Sequence, residues 1–125
     1  QVLQGIGQYP QSIDALRKAL AIEPKMPNAR LLMARAYNEM AMPDSVMSVL
    51  RAAAANGEDK ATTSGYATTL ANGFLKITNE QKTLAAARKI IPFAKLAEEI
   101  DPTNINAKFI LGLGHFFVAQ FAATD

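Results

Sequence analysis

The chain has no cysteine, a single histidine, and few aromatic residues, 7% of 125 positions. Without cysteine there is no disulfide frame, thiol nucleophile or cysteine-held metal. That absence fits the cytoplasmic or the periplasmic side of a bacterial inner membrane and does not choose between them. One histidine, His115, has no second imidazole to complete a metal or acid–base site with it. Charge of one sign is also missing: thirteen basic and eleven acidic residues give a net charge of +2. This balance argues against nucleic acid as a partner, and no basic run exceeds the steps Arg17-Lys18 and Arg88-Lys89. No P-loop, HExxH or paired acidic motif occurs, so no catalytic, cofactor or metal site is expected, and no enzyme. The most apolar run, Phe109 to Ala123, is about fifteen residues broken by His115 and Gln120, short of the roughly twenty that span a bilayer. It reads as a packed core helix, and no direct membrane insertion is expected.

What is present is apolar residue in quantity, 50% of the chain and much of it alanine. That balance favours closely packed helices, and the length suffices to bury a core. No segment sustains two-residue alternation, so no sheet is expected. The chain opens on Gln1 and ends on Asp125 near where another helix is due, and it reads as a piece of a longer protein.

Glycine and proline punctuate the helices. Gly5 and Gly7 are expected to stop a first helix, with Pro10 in the first turn of the next. That helix turns Ile13, Leu16, Ala19 or Leu20, and Ile22 inward and ends at Pro24 and Pro27. Asn28 to Met42 follows, with Leu32, Met33, Ala36, Tyr37 and Met40 as its apolar stripe. Pro43-Asp44 marks a turn with Asp44 as cap. Val46, Val49, Leu50 and Ala53 then face inward until Asn56-Gly57. Asp59 to Ser64 reads as polar and loose; Tyr66, Leu70, Phe74 and Ile77 form the next stripe. Thr78-Asn79 is expected to cap a long segment, Glu80 to Ile100, that Pro92 kinks or splits near Lys89. Pro102-Thr103-Asn104 stops and restarts the chain before a last helix, Ala107 to Phe121.

Laid over one another, the helix pairs share slots. Arg30, Met33-Ala34 and Tyr37 match Ala67, Leu70-Ala71 and Phe74, then Lys108, Leu111-Gly112 and His115. In the second helices Ser12, Leu16, Ala19 and Pro24 match Val46, Leu50, Ala53 and Glu58, then Ile90, Ala94, Ala97 and Pro102. This pattern resembles the tetratricopeptide repeat. The resemblance implies an all-α fold of antiparallel helix hairpins stacked as a right-handed superhelical solenoid. Its period of about 34 residues leaves about ten residues surplus between Pro24 and Pro102. Some fall at Ala61-Thr62-Thr63 and the rest between Phe74 and Ile90. The expected division is a single domain of partial unit 1–26, unit 27–60, extended unit 61–103 and partial unit 104–125. GLGHFF from Gly112 starts like a nucleotide loop but lacks its third glycine and lies in a helical pattern, so helix-packing glycine is the reading. His115, in an aromatic slot, reads as a packing residue between hairpins.

The resemblance also implies a non-catalytic module that binds a protein or peptide segment in a concave groove lined by first helices. By alignment the lining is Asn28, Leu31, Leu32, Arg35, Asn38 and Glu39, then Thr68, Thr69, Asn72, Leu75 and Lys76. The last unit adds Asn106, Phe109, Ile110, Leu113, Phe116 and Phe117. A lysine-and-asparagine carboxylate clamp known in the family is not matched, because Leu31, Arg35, Thr68 and Asn72 hold those places. The last helix is apolar on most sides, and one hairpin partner covers only one stripe. Its expected cover is following repeats, a bound segment, or a second copy that would make the chain a self-associating scaffold and homo-oligomer.

Overall fold

A computed structural model describes the backbone of residues 2–124 and the side chains of residues 8–123. Among the described residues it is all helix and turn, with six helices: α1 (Val2–Ile22), α2 (Ala29–Glu39), α3 (Pro43–Ala55), α4 (Lys60–Gln81), α5 (Leu84–Ile100) and α6 (Ile105–Thr124). They form two compact units, α1–α3 in residues 1–59 and α4–α6 in residues 60–125.

In the first unit α2 packs against α1 on one side and α3 on the other. Ile13, Met33, Ala34, Tyr37, Val46, Leu50 and Ala53 are its buried interior. The small residues let helix axes approach, and the large ones fill the space beside them. Val49 is only half-buried, and Ile22, expected inward, is 87% exposed at the end of α1. The Arg17 guanidinium donates to the Tyr37 hydroxyl, so this buried phenol has a partner. Arg30 donates to the Pro24 carbonyl at 2.6 Å and approaches the Glu58 carboxylate at 3.7 Å. It thereby ties the α1–α2 turn to Glu58, three residues past the end of α3. The slot that proline fills after α1 is here half of an ion pair.

Two turn expectations are corrected here. α1 is not stopped at Gly5 and Gly7 but runs through Pro10. A glycine costs a helix only about 1 kcal/mol against alanine, and it stops one only where the backbone turns left-handed. Asp44 makes no side-chain cap; Met42 holds that position, Pro43 is the first helical residue, and Asp44 sits in the first turn. Left-handed residues close the helices instead. Ala41 (φ 55°) follows α2, and Gly57 (φ 82°) follows α3. In each case the next amide, Met42 or Glu58, reaches back to the Tyr37 or Ala53 carbonyl.

In the second unit α5 lies between α4 and α6, with Ala86, Ala87, Ile90, Phe93, Ala94, Leu96, Ala97 and Ile100 buried. Phe93 stacks on Phe74 of α4 at 5.7 Å between ring centres. The interval expected to be loose, Asp59 to Ser64, is largely the first turn of α4, with Thr63 and Ser64 buried. The buried line of α4 is Ala67, Ala71 and Thr78, while Ile77 is exposed and Tyr66, Leu70 and Phe74 are half-buried. The Thr78 hydroxyl donates to the Phe74 carbonyl inside the helix, so Thr78 is no cap. The break falls later: Lys82 turns left-handed (φ 53°) and Thr83 caps α5 through the Ala86 amide. Pro92 does not split α5. It lies on the exposed side of the helix, where a lost backbone hydrogen bond costs less than it would in the interior.

Only one line of α6 is buried, Ala107, Ile110 and Gly114. A Cβ on Gly114 would meet Ile90 Cγ2 at 3.0 Å and Ile91 Cγ1 at 3.1 Å, whereas one on Gly112 would meet nothing within 4 Å. The close-packing glycine is therefore Gly114. Its neighbour His115 is exposed, not packed between hairpins. The helix expected to be core is mostly exposed, and by length and composition alone it is long and apolar enough to cross a membrane. Gly112→Ala should stabilise the fold by up to about 1 kcal/mol through helix propensity. Gly114→Ala should come out less stable than Gly112→Ala by about 1 kcal/mol or more, because its methyl crowds Ile90 and Ile91. Urea denaturation of both variants measures the difference; equal stabilities would mean that the α5–α6 contact is loose.

Candidate functional site

The chain reverses at Lys82-Thr83 and again at Asp101–Asn104, so α4 and α6 run parallel with α5 behind them. Their relative height is set by a polar cluster at the first turns. Ser64 is fully buried and donates to the Ala97 carbonyl of α5 at 2.6 Å. The Asn104 amide nitrogen lies 2.9 Å from the Ser64 hydroxyl and 3.0 Å from that of Thr68, and donates to both. The Asn104 carboxamide oxygen caps α6 by accepting from the Ala107 amide at 3.0 Å. Thr68 passes its own proton to the Ser64 carbonyl. Every polar group in the cluster is matched, as burial requires.

With that register, the exposed faces of α4 and α6 form a seam. Thr68, Thr69, Asn72 and Leu75 stand opposite Asn106, Phe109, Ile110 and Leu113 around an open trough of about 300 Å³. The proton of Thr69 is spent on the Gly65 carbonyl, as that of Thr68 is on Ser64. The carboxamides of Asn72 and Asn106 make no hydrogen bond to another described residue, and each offers donors and an acceptor. No charged residue lines the trough. Farther along the seam Thr78, Asn79 and Lys82 face Phe117, Gln120 and Phe121 around a second hollow of about 240 Å³.

Of the residues singled out by alignment, Thr68, Thr69, Asn72 and Leu75 of α4 and Asn106, Phe109, Ile110 and Leu113 of α6 thus meet in one trough. Lys76 is exposed on α4 one turn past Asn72 but does not line it. Phe116 is 59% exposed and meets Phe117 edge-on, while Phe117 belongs to the second hollow. Asn28, just before α2, and Leu31, Arg35 and Asn38 within it fall in the first unit, at spacings that share one side of a helix. Asn28 there holds the N-cap position with a left-handed backbone (φ 67°) and no capping bond; Leu31 and Asn38 are half-buried and Arg35 is exposed. Residue patterns alone did not single out Lys82, Asn79, Gln120 or the buried Ser64. A boundary set at Thr78-Asn79 hid the first two, and a polar run at Asp59 to Ser64 hid the last. A usable signal was Asn104, a strong capping residue directly after Asp101-Pro102-Thr103.

Asn104→Ala should remove the cap and the donors to two hydroxyls at once, costing about 2–3 kcal/mol. Urea denaturation reads this cost, and a loss below about 0.5 kcal/mol would mean that the cluster does not hold the seam.

The sequence model described as tetratricopeptide repeat matches residues 6–70, which take in most of α1, all of α2 and α3 and the first half of α4. No curated protein and no solved structure gives a significant match.

Proposed function

This chain belongs to the tetratricopeptide repeat family, and from that premise we propose that it binds a peptide or protein segment along the α4–α6 seam without catalysing a reaction. Repeats of this family generally mediate protein–protein interaction and are typically non-catalytic. The observation that carries the reading is the trough itself. It is an open channel between parallel helices, suited to a chain segment more than to an enclosed small molecule. Its apolar surfaces, Leu75, Phe109, Ile110 and Leu113, accept side chains of the segment. Asn72 and Asn106 pair with its backbone, one carboxamide serving both an N–H and a C=O. In the first unit Leu31, Arg35 and Asn38, with Asn28, are the proposed contacts, Arg35 being the cation available to a carboxylate.

A random peptide library displayed on phage supplies the ligand, and an enriched, labelled peptide gives affinity by fluorescence anisotropy. Phe109→Ala and Asn72→Ala should each weaken binding about tenfold or more, a loss of about 1.4 kcal/mol. Unchanged affinity in both variants would remove the trough from the binding surface.

A second reading has its own observation: Phe109 is 67% exposed and Phe116 59%, and the Phe117 ring meets those of Phe116 and Phe121 on α6. Exposed apolar surface of this extent marks interfaces, and a second copy of the chain is the alternative partner. Light scattering should then report a dimer or larger species that Phe116→Asp returns to monomer. A monomer at high concentration, unaltered by that change, rules the scaffold reading out.

A further inference from the structure

One row of α6 faces away from α5 and is apolar along its whole length. Ile105, Phe109, Gly112, Phe116, Ala119 and Ala123 recur at alternating steps of four and three residues, and each is exposed. That is the spacing of a coiled-coil contact, with Phe109, Phe116 and Ala123 at a positions and Ile105, Gly112 and Ala119 at d positions. Opposite this row, at f positions, Ala107 and Gly114 are buried, Gly114 close against Ile90 of α5. The two faces of α6 are thus both spaced to meet a helix, and among the described residues only the inner one does. Because α6 is already folded on α5, association along the outer row carries no cost of starting a helix.

The sizes along the row are complementary to themselves. Turned antiparallel about Gly114, the row sets Phe109 against Ala119, Phe116 against Gly112 and Ile105 against Ala123 of a second copy. Each layer then joins one large residue to one small one, which fills space evenly. A parallel pair would instead stack Phe109 on Phe109 and Gly112 on Gly112, crowding one layer and emptying the next. An antiparallel shift by one heptad loses two layers and sets either Ile105 against Phe116 or Gly112 against Ala123. Charge agrees with the unshifted register. Lys108 is the one lysine or arginine of α6, no carboxylate occurs in the helix, and Lys108 falls beside Ala122 of the second copy.

We propose that α6 pairs antiparallel with α6 of a second copy, across a two-fold axis level with Gly114. The proposal rests on the reading of α6 as a self-association surface and adds an orientation and a register to it. Both copies contribute the same row, so the contact is isologous and closes at a dimer.

The test exchanges sizes across one layer. Dimer dissociation constants are measured by analytical ultracentrifugation for the unmodified chain, Phe109→Ala, Ala119→Phe and the double variant. The first change empties the layer and the second overfills it, and each should weaken the dimer about tenfold or more. The double variant places the large residue on the other side and should recover the unmodified affinity to within about threefold. Both positions are exposed, so the monomer should keep its fold, which circular dichroism checks. Orientation is read separately, because the chain has no cysteine and an engineered one is unique. Lys108→Cys is mixed with Ala122→Cys and treated with a short bismaleimide. In the antiparallel pair unlike positions lie side by side and like positions about 21 Å apart along the axis. The mixture should therefore link much faster than either variant alone. Faster linking of like positions, or a double variant no tighter than Ala119→Phe, overturns this arrangement, and a dimer that Phe116→Asp dissociates would still keep the scaffold reading. A monomer throughout overturns both and assigns the row to a bound segment.

Discussion

The seam depends on where one buried hydroxyl finds its partners. Ser64 has no exposure to water, its proton goes to the last turns of α5 at Ala97, and its lone pairs take the Asn104 amide at the start of α6. A buried hydroxyl left unpaired costs about 1–3 kcal/mol, more than the pairing gains over water. The interaction therefore acts chiefly by penalising alternatives. Sliding α6 by one turn along α4 would take the Asn104 amide away from both the Ser64 and the Thr68 oxygen at once, while the apolar contacts of these alanine-rich helices would change much less. Register between the two exposed helices is thus set by polar groups at one end. The opposed rows of the trough inherit that register, because Thr68 belongs to both the cluster and the lining.

The same packing explains why α6 is so bare. α5 is narrow on its inward faces, with Ala86, Ala87, Ala94 and Ala97 buried beside Ile90 and Leu96. Helices on either side come close to it, and at Gly114 closeness reaches the point where even a methyl group would crowd Ile90. A narrow contact covers a narrow stripe. Ala107, Ile110 and Gly114 satisfy it, and the remaining apolar residues of α6 stand outside. Exposed apolar surface on α6 is thus the geometric counterpart of tight small-residue packing on α5, and it is what gives the trough its apolar wall.

Sequence pattern made the all-α hairpin architecture readable because slots such as Met33, Ala34 and Tyr37, or Val46, Leu50 and Ala53, are filled with the sizes that close packing needs. The trough lining was readable to the same degree: once the slots are aligned, the outward positions of α4 and α6 follow from helical periodicity. Boundaries were harder, for specific reasons. Threonine is ambiguous: Thr83 caps a helix, while Thr78, five residues earlier, bonds to its own helix and is buried. Left-handed closures at Ala41 and Lys82 carry no glycine to announce them. In α6 the slot pattern pointed to Gly112 and His115, but the neighbouring helix selects Gly114. A single-helix pattern cannot tell which of two glycines two residues apart will meet a partner.

The two hollows of the seam differ in charge, and that difference bears on selectivity more than either surface alone. An acidic side chain laid in the first trough would lose hydration against Leu75, Phe109 and Leu113, with only neutral carboxamides in return. In the second hollow the same charge would meet Lys82. If a segment occupies the seam as proposed, one that carries a single carboxylate would have one favourable placement, and shifting it by a few residues would put its charge over apolar surface. The neutral carboxamides would then supply general affinity for a backbone, and the single cation at the far end would select among registers, so that specificity would arise as much from the penalty at wrong positions as from the pairing at the right one.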